Sequence, residues 1–257
     1  MLAVVREVSP KLAECELTHL DRAPIDVTRA QHQHGEYTDA LRALGCVLEW
    51  LPPLPECADA VFVEDTAVVV DELALVTRPG VPSRRGETPS VAAALARHLP
   101  VVQLTEPGCL DGGDVLRIGH SFFVGASARS NQAGIAQLQD ALGCFGYRVQ
   151  AVALRGCLHL KSACTFIPPD VLLVNPHWVE PAAFGNAGAA APNRLVTVDD
   201  SEPYGANTLT IAGTTLVSAA YPRTRERLEA AGVTTRALEV SELHKAEGAL
   251  TCMSLMI

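Results

Sequence analysis

The sequence has no apolar run that approaches the roughly 18 residues needed to cross a bilayer, although 48% of its 257 residues are hydrophobic. It also has no excess of positive charge. The formal net charge of -9 argues against a nucleic-acid binder, which would carry a basic stripe. The first residues, MLAVVREVSPK, have no charged segment followed by a clean apolar stretch, as a signal peptide would. These absences predict a cytoplasmic protein that binds neither nucleic acid nor a membrane.

None of the eight cysteines belongs to a C-x-x-C pair, which excludes the zinc-ribbon and thioredoxin patterns. No glycine-rich phosphate loop follows a predicted strand. Without a secretory signal, the cysteines are expected to be reduced thiols, most of them small core residues. The sequence therefore implies no metal and no organic cofactor. Cys252 stands apart, because it lies five positions before the end of an apolar segment, GALTCMSLMI, that is typical of a buried strand.

Short β-type runs alternate with helical stretches along the chain. AVVVDELALVTRPG, VLRIGHSFFVGAS and TLTIAGTTLVSAA each predict two strands about a tight turn, and VLLVNPHWV is expected to follow the same plan. Helical spacing and capping residues predict helices at TPSVAAALARHL, SNQAGIAQLQDAL and YPRTRERLEAAG. Residues 182–193 are predicted to be a surface loop. His32 and His34 are placed on the solvent face of a helix start, because no third metal ligand accompanies them.

The β-rich parts recur at a regular interval, which indicates an internal repeat. The polar residues that begin them, Asp65, Asp114, His159, Asn207 and Cys252, are separated by 49, 45, 48 and 45 positions. Units of this size cannot bury an apolar face alone, so they should pack around one another. The last half-unit, ALTCMSLMI, would need the first strand, LAVVRE, to complete it. We therefore expect residues 1–257 to form a single domain of five units around one centre.

If the units converge, the centre holds a thiol, an imidazole and several carboxylates: Glu64, Asp65, Asp111, Asp114, His159, Asn207 and Cys252. A thiolate beside a histidine is typical of covalent catalysis, with the imidazole as proton donor and then as base. Clustered carboxylates repel one another unless a cation binds among them, and a guanidinium suits that role. The residues alone leave a second interpretation open. Cys252 and His159 would then be ordinary buried residues, and DGGD a turn.

Several segments occur in the order and spacing of one enzyme family: DAVFVEDTAVV, LVTRPGVPSRRGE, DGGDVLRIG, FFVGASARSNQAG, LHLKS, GANTL and LTCMSL. Over nearly the whole chain the sequence resembles the dimethylarginine dimethylaminohydrolases, members of the guanidine-modifying pentein superfamily. This resemblance implies an α/β fold, a five-bladed α/β propeller of strand-strand-helix-strand-type repeats. It also implies a dimethylargininase, which hydrolyses Nω-methylated arginines to citrulline and methylamine or dimethylamine. A covalent thiouronium intermediate is implied, as is a small-molecule substrate, and a homodimer is compatible with it.

The resemblance assigns roles to individual residues. Cys252 matches the nucleophile, His159 the acid and base, and Asp111 the acidic partner of the histidine. Glu64 and Asp65 match carboxylates near the guanidinium, and Asp59 matches a contact to the substrate α-amino group. The remaining matches are Arg84 and Arg129 to clamps on the substrate carboxylate, Leu17 to a mobile lid, and Leu17 and Ala246 to backbone contacts.

Three alternatives remain at this stage. An arginine deiminase would carry an H-x-D motif, whose aspartate pairs with the unsubstituted guanidinium nitrogen, but Lys161 stands two positions after His159 in this chain. A relative acting on citrulline or another guanidino or ureido compound would share the fold and the thiol chemistry. A non-catalytic pentein that binds a partner would have no reason to keep Cys252, His159, Asp111 and both substrate arginines together.

Overall fold

A computed structural model describes residues 1–257. Fifteen strands form five sheets of three strands each. The strands are β1 Leu2–Val5, β2 Val47–Trp50, β3 Ala67–Val69, β4 Ala74–Val76, β5 Val101–Gln103, β6 Val115–Ile118, β7 Ser121–Ala126, β8 Arg148–Ala153, β9 Cys164–Ile167, β10 Val171–Val174, β11 Arg194–Thr197, β12 Leu209–Ile211, β13 Thr214–Ser218, β14 Thr235–Leu238 and β15 Leu255–Met256. The helices are α1 Val27–Ala43, α2 Thr88–Leu95, α3 Gln132–Gly143, α4 Leu160–Ala163, α5 Pro222–Ala230 and α6 Ser241–His244.

Every sheet combines one antiparallel pair with one parallel pair. In the second sheet, for example, β3 runs antiparallel to β4, and β5 then pairs parallel to β4. A parallel neighbour needs a crossover connection, and α1, α2, α3 and α5 supply it in four of the sheets. First strands of neighbouring sheets contact each other, as β6 with β9 and β9 with β12. The five-bladed α/β propeller expected from the sequence is confirmed.

The two ends of the chain close the propeller. β1 lies between β2 and β15, parallel to the former and antiparallel to the latter. Val4 stands opposite Leu255 in this register. The prediction that the last half-unit needs the first strand is therefore confirmed, whereas Cys252 itself lies in a turn just before β15 rather than within a strand. The assignment of the whole chain to one catalytic domain stays a prediction.

The structure corrects two local predictions and refines a third. VLLVNPHWV contains only β10, which pairs with the upstream strand β9. The segment 182–193 is a surface loop as predicted, but it contains two short 3-10 turns, and Phe184 is buried there against Phe123, with ring centroids 5.0 Å apart. His34 does not face solvent but is buried near Trp50, with ring centroids 5.9 Å apart, and burial lowers the pKa of His34 to about 4. His32 is exposed, as predicted.

Tight turns bring the polar residues of each unit to the centre. Val63–Thr66 forms a 3-10 turn directly before β3, and Gly112–Asp114 forms another directly before β6. His159 immediately precedes α4, which leads into β9. Because the first strands surround the centre, the side chains just before them meet there.

No helix of the structure combines the length and the apolar character that a membrane span requires.

Closure by β15 should contribute strongly to stability. Leu255 is buried in a cluster with Val4, Leu51 and Val63, so Leu255→Ala would leave a cavity and is expected to lower the free energy of unfolding by about 2–5 kcal/mol. Leu195, which is 55% exposed on β11, provides the control, since Leu195→Ala should change it by about 0.5 kcal/mol or less. Urea denaturation measures both, and equal effects would contradict the role assigned to the closing strand.

Candidate active site

The predicted site residues largely converge on one cleft. Cys252 and His159 line it together with five of the predicted substrate-binding residues, Asp59, Asp65, Arg84, Arg129 and Ala246. The cleft is narrow, with a volume of about 20 Å³, which is room for about one water molecule. Asp111 lies behind His159, whereas Glu64 and Leu17 do not line the cleft.

The imidazole of His159 lies between two carboxylates. Its Nε2 is 3.1 Å from Asp111 Oδ2, and its Nδ1 is 3.8 Å from Asp65 Oδ1. Burial alone would lower the pKa of His159, but the charge of Asp65, the hydrogen bond to Asp111 and the nearby Asp114 outweigh it and raise the pKa to about 9. The ring is therefore an imidazolium at neutral pH, able to donate a proton to a leaving group.

The glycines of the DGGD segment allow this arrangement. A β-carbon on Gly113 would lie 2.6 Å from His159 Nδ1, and one on Gly112 would collide with the backbone of Glu64. The amide of Gly113 donates to Asp65 Oδ1 at 2.9 Å. Asp114 supports the same loop, since its Oδ1 accepts from the amide of Leu160 at 3.1 Å. The segment is thus a tight turn, in which Gly113 lets the backbone pass close to the imidazole and Gly112 lets it pass close to the backbone of Glu64.

Cys252 is buried and uncharged in the free protein. Its Sγ accepts a hydrogen bond from the amide of Ala249 at 3.4 Å, and its carbonyl accepts from the amide of Glu64 at 3.0 Å. Burial, with the charges of Glu64 and Asp65, raises the pKa of the Cys252 thiol to about 12. A thiol at neutral pH is a poor nucleophile, so a bound cation would be needed to favour the thiolate.

Arg84 is occupied by protein partners. Its Nη1 donates to Asp65 Oδ2 at 2.5 Å, and its Nε and Nη2 donate to the carboxylate of Glu87 at 3.1 and 2.9 Å. Burial would raise the pKa of Asp65, but His159 and Arg84 outweigh it and lower the pKa to about 2. The contact of Arg84 with a substrate carboxylate stays a prediction. In this geometry Arg84 helps to lower the pKa of Asp65 and so keeps that carboxylate ionised.

Arg129 forms fewer ion pairs than Arg84. Its Nη1 lies 3.7 Å from Asp111 Oδ2, and its Nη2 donates to Thr18 Oγ1 at 3.0 Å. Asp59 accepts from the amide of Glu16 at 3.1 Å, and burial raises the pKa of the Asp59 carboxyl. These two residues therefore face segment 16–20, which lies over the cleft and contains Leu17.

Glu64 is directed away from the cleft. Lys161 Nζ lies 2.6 Å from Glu64 Oε1, and Thr251 donates to Glu64 Oε2 at 2.6 Å. Asn207 in turn accepts from the amide of Thr251 at 3.0 Å. Glu64 and Lys161 line a separate cavity of about 310 Å³. A direct contact of Glu64 with a guanidinium stays a prediction, while the ion pair with Lys161 accounts for how its charge is tolerated.

No pattern in the sequence indicated Glu247, which holds segment 16–20. Its carboxylate accepts hydrogen bonds from three successive amides, those of Thr18, His19 and Leu20, at 2.8, 2.5 and 2.7 Å. Glu247 itself adopts a left-handed backbone conformation with φ 55°, which is uncommon for a residue other than glycine. Because the partners are 227 to 229 positions apart, no local pattern could reveal the contact. Glu16, Phe62, Leu158 and Gly248 also line the cleft unpredicted.

One group of side chains could hold a metal ion. Asp65, Asp111 and His159 offer ligand atoms that all lie within 4.8 Å of one another. His159 would have to lose its proton to bind a metal, and the guanidinium of Arg84 already pairs with Asp65. The cluster is therefore better suited to exchanging protons than to coordinating an ion.

Comparison with known proteins gives close relatives, although no family model matches the chain. A dimethylarginine dimethylaminohydrolase from Streptomyces coelicolor is 40% identical over 258 residues, covering 99% of this chain and 96% of that protein. The structure of the Pseudomonas aeruginosa enzyme of that name, a cysteine-to-serine mutant complexed with citrulline, has a TM-score of 0.91 and 30% identity over 99% and 98% of the two chains. A histidine-to-glycine variant of a dimethylarginine dimethylaminohydrolase, as its adduct with S-methyl-L-thiocitrulline, has a TM-score of 0.89 and 30% identity over the same shares.

The hydrogen bonds of Glu247 should keep segment 16–20 ordered over the cleft. In Glu247→Gln the amide can accept through only one oxygen, and bonds to a charged acceptor are worth about 1.5–3 kcal/mol each. We expect the amides of Thr18, His19 and Leu20 to exchange their hydrogens at least about tenfold faster, as measured by mass spectrometry. Glu226→Gln, at an exposed position on α5, is the matched control. Unchanged exchange in Glu247→Gln would contradict the contact.

The raised pKa of Cys252 predicts a distinctive pH dependence of alkylation. Only the thiolate reacts, so the rate with iodoacetamide should be slow at pH 7 and should rise steadily with pH toward the pKa of about 12. A bound guanidinium ligand that leaves the sulfur accessible should quicken the reaction. The exposed Cys144 serves as the reference for reagent activity within the same sample. A rate that reaches a plateau below pH 8 would mean that the thiol is already ionised in the free protein.

Proposed function

The chain belongs to the dimethylarginine dimethylaminohydrolase family, and we propose that it hydrolyses Nω-methylated L-arginines to L-citrulline and dimethylamine or methylamine. The observation that carries the proposal is the meeting of the Cys252 thiol and the His159 imidazolium in one cleft with the ionised Asp65. This combination suits a substrate with a cationic, electrophilic carbon and a leaving group that must be protonated. The relatives are named as hydrolases of dimethylarginine, a substrate of this kind.

Substrate recognition follows from the charges of the cleft. The carboxylate of Asp65 pairs with the guanidinium of the substrate, and Asp59 binds the α-amino group. Arg129, whose guanidinium lines the cleft, binds the substrate carboxylate. Ala246 and the segment that contains Leu17 contribute backbone groups. A cationic head and a zwitterionic tail are thus matched by complementary charges.

The first half of the reaction uses the bound cation to activate the thiol. The guanidinium offsets the negative charges around Cys252, so the thiol loses its proton to solvent. The thiolate then forms a C–S bond to the guanidinium carbon, and the C=N electron pair moves to nitrogen. The bond from this carbon to the methylated nitrogen breaks, and that nitrogen keeps the electron pair and takes the proton of His159. A neutral amine leaves, and a thiouronium cation remains on Cys252.

The second half reverses the roles of these groups. A water molecule gives one proton to the now neutral His159 while its oxygen bonds to the thiouronium carbon. The C–S bond breaks, its electron pair returns to sulfur, and the hydroxyl proton restores the Cys252 thiol. Citrulline is released, and His159 is again an imidazolium. Asp111 acts on both halves by orienting the imidazole and stabilising its charge.

The absence of a carboxylate at position 161 supports methylated arginine rather than arginine as the substrate. A carboxylate at that position would pair with an unsubstituted guanidinium nitrogen, whereas the ammonium of Lys161 is paired with Glu64. Methyl groups on the reacting nitrogen remove donors that such a carboxylate would need. A homodimer and a cytoplasmic location stay predictions.

Citrulline formation from asymmetric dimethylarginine and from arginine, measured side by side, tests the proposal. We expect turnover of the methylated substrate, little or none of arginine, and none by Cys252→Ser, which keeps the shape of the side chain but lacks the thiolate. Citrulline from arginine alone would instead identify a deiminase. Turnover of neither substrate would direct attention to other guanidino or ureido compounds.

A further inference from the structure

A second cavity adjoins the cleft. Its volume is about 120 Å³, six times that of the cleft, and Leu158, Glu247 and Gly248 line both spaces. We call it the side cavity. Leu158 directly precedes the proton donor His159, so the two spaces meet beside the position from which an amine would leave.

The side cavity is aromatic and contains polar groups without protein partners. Tyr204, Tyr221 and His244 line it, and neither phenol nor the imidazole of His244 forms a hydrogen bond within the protein. The rings of Tyr221 and His244 stack with centroids 5.3 Å apart. Burial lowers the pKa of His244 to about 4, so this ring is neutral at neutral pH and does not repel a cation.

The proposed reaction creates a need for such a space. After the C–N bond breaks, the rest of the substrate stays attached to Cys252, and the amine occupies the position beside His159 that the attacking water must take. The amine therefore has to move aside before hydrolysis can proceed, and segment 16–20 covers the cleft.

Resting on the proposed function, we propose that the side cavity is the binding site for the methylammonium or dimethylammonium product and clears the cleft for the hydrolytic water. The amine becomes an alkylammonium by taking a proton from solvent, which received one from the Cys252 thiol. Aromatic faces attract alkylammonium cations, and the phenol oxygens of Tyr204 and Tyr221 can accept its N–H groups. Glu247 adds negative charge to the same wall.

Trp178 provides a direct probe of occupancy. Its ring packs on Tyr204 with centroids 4.8 Å apart, and Trp50 is the only other tryptophan in the chain. In a Trp50→Phe background, titration with dimethylammonium chloride should give a saturable change in fluorescence that sodium chloride does not give. The double variant Tyr204→Phe/Tyr221→Phe should bind about tenfold more weakly, since two hydrogen bonds are lost. Tyr147→Phe, whose phenol contacts Glu72 elsewhere, is the matched control and should bind normally.

Citrulline separates the side cavity from the cleft. If the alkylammonium binds in the side cavity, saturating citrulline should leave its affinity unchanged, whereas binding in the cleft would be abolished. Absence of a saturable signal, loss of the signal with citrulline, or equal binding by the double variant would each overturn the assignment. These results need no turnover, so the assignment can fail while the citrulline assay succeeds. Failure of that assay to give citrulline from asymmetric dimethylarginine would instead remove the proposed function, and with it the role of the cavity as a product site.

Discussion

The position of the His159 imidazole between Asp65 and Asp111 is the constraint on which the cleft depends. Two buried carboxylates next to one imidazole make the imidazolium the stable form, while burial, with the charges of Glu64 and Asp65, keeps the Cys252 thiol protonated. The free protein therefore holds a proton donor and an unreactive thiol side by side. In the proposed reaction a cationic substrate reverses the second condition, so activation of the thiol and recognition of the substrate are the same electrostatic event.

Buried ion pairs decide which carboxylates take part in that event. Arg84 holds Asp65 ionised at the cleft, while Lys161 holds Glu64 on the far side of the DGGD turn. Burying a carboxylate without a partner would be costly, and the usual response is protonation. Of these two neighbouring carboxylates, Asp65 therefore faces the cleft, whereas Glu64 faces the separate cavity. Removing either cation would leave its buried carboxylate without an ionic partner, which is strongly destabilising.

Much of this architecture was predictable because a repeating fold repeats its polar residues. The spacing of Asp65, Asp114, His159, Asn207 and Cys252 predicted five units, and the tight turns before the first strands bring these residues together. The apolar end of the chain predicted a closing strand, since β15 has no other way to bury Leu255. The sequence was less informative where burial depends on a distant partner, as for His34 beside Trp50 and Phe184 beside Phe123.

By itself the sequence determined five repeating units around one centre, the thiol and imidazole pair, and an acidic centre suited to a guanidinium, because periodicity and residue chemistry can be read along the chain. Only the tertiary structure decided which residue each charge faces. In the structure Arg84 forms an ion pair with Asp65, and Lys161 forms one with Glu64. The amides of segment 16–20 donate hydrogen bonds to Glu247. These contacts join residues from different units of the chain. Their energies depend on distances between atoms in the folded chain, and those distances cannot be read from positions in the sequence.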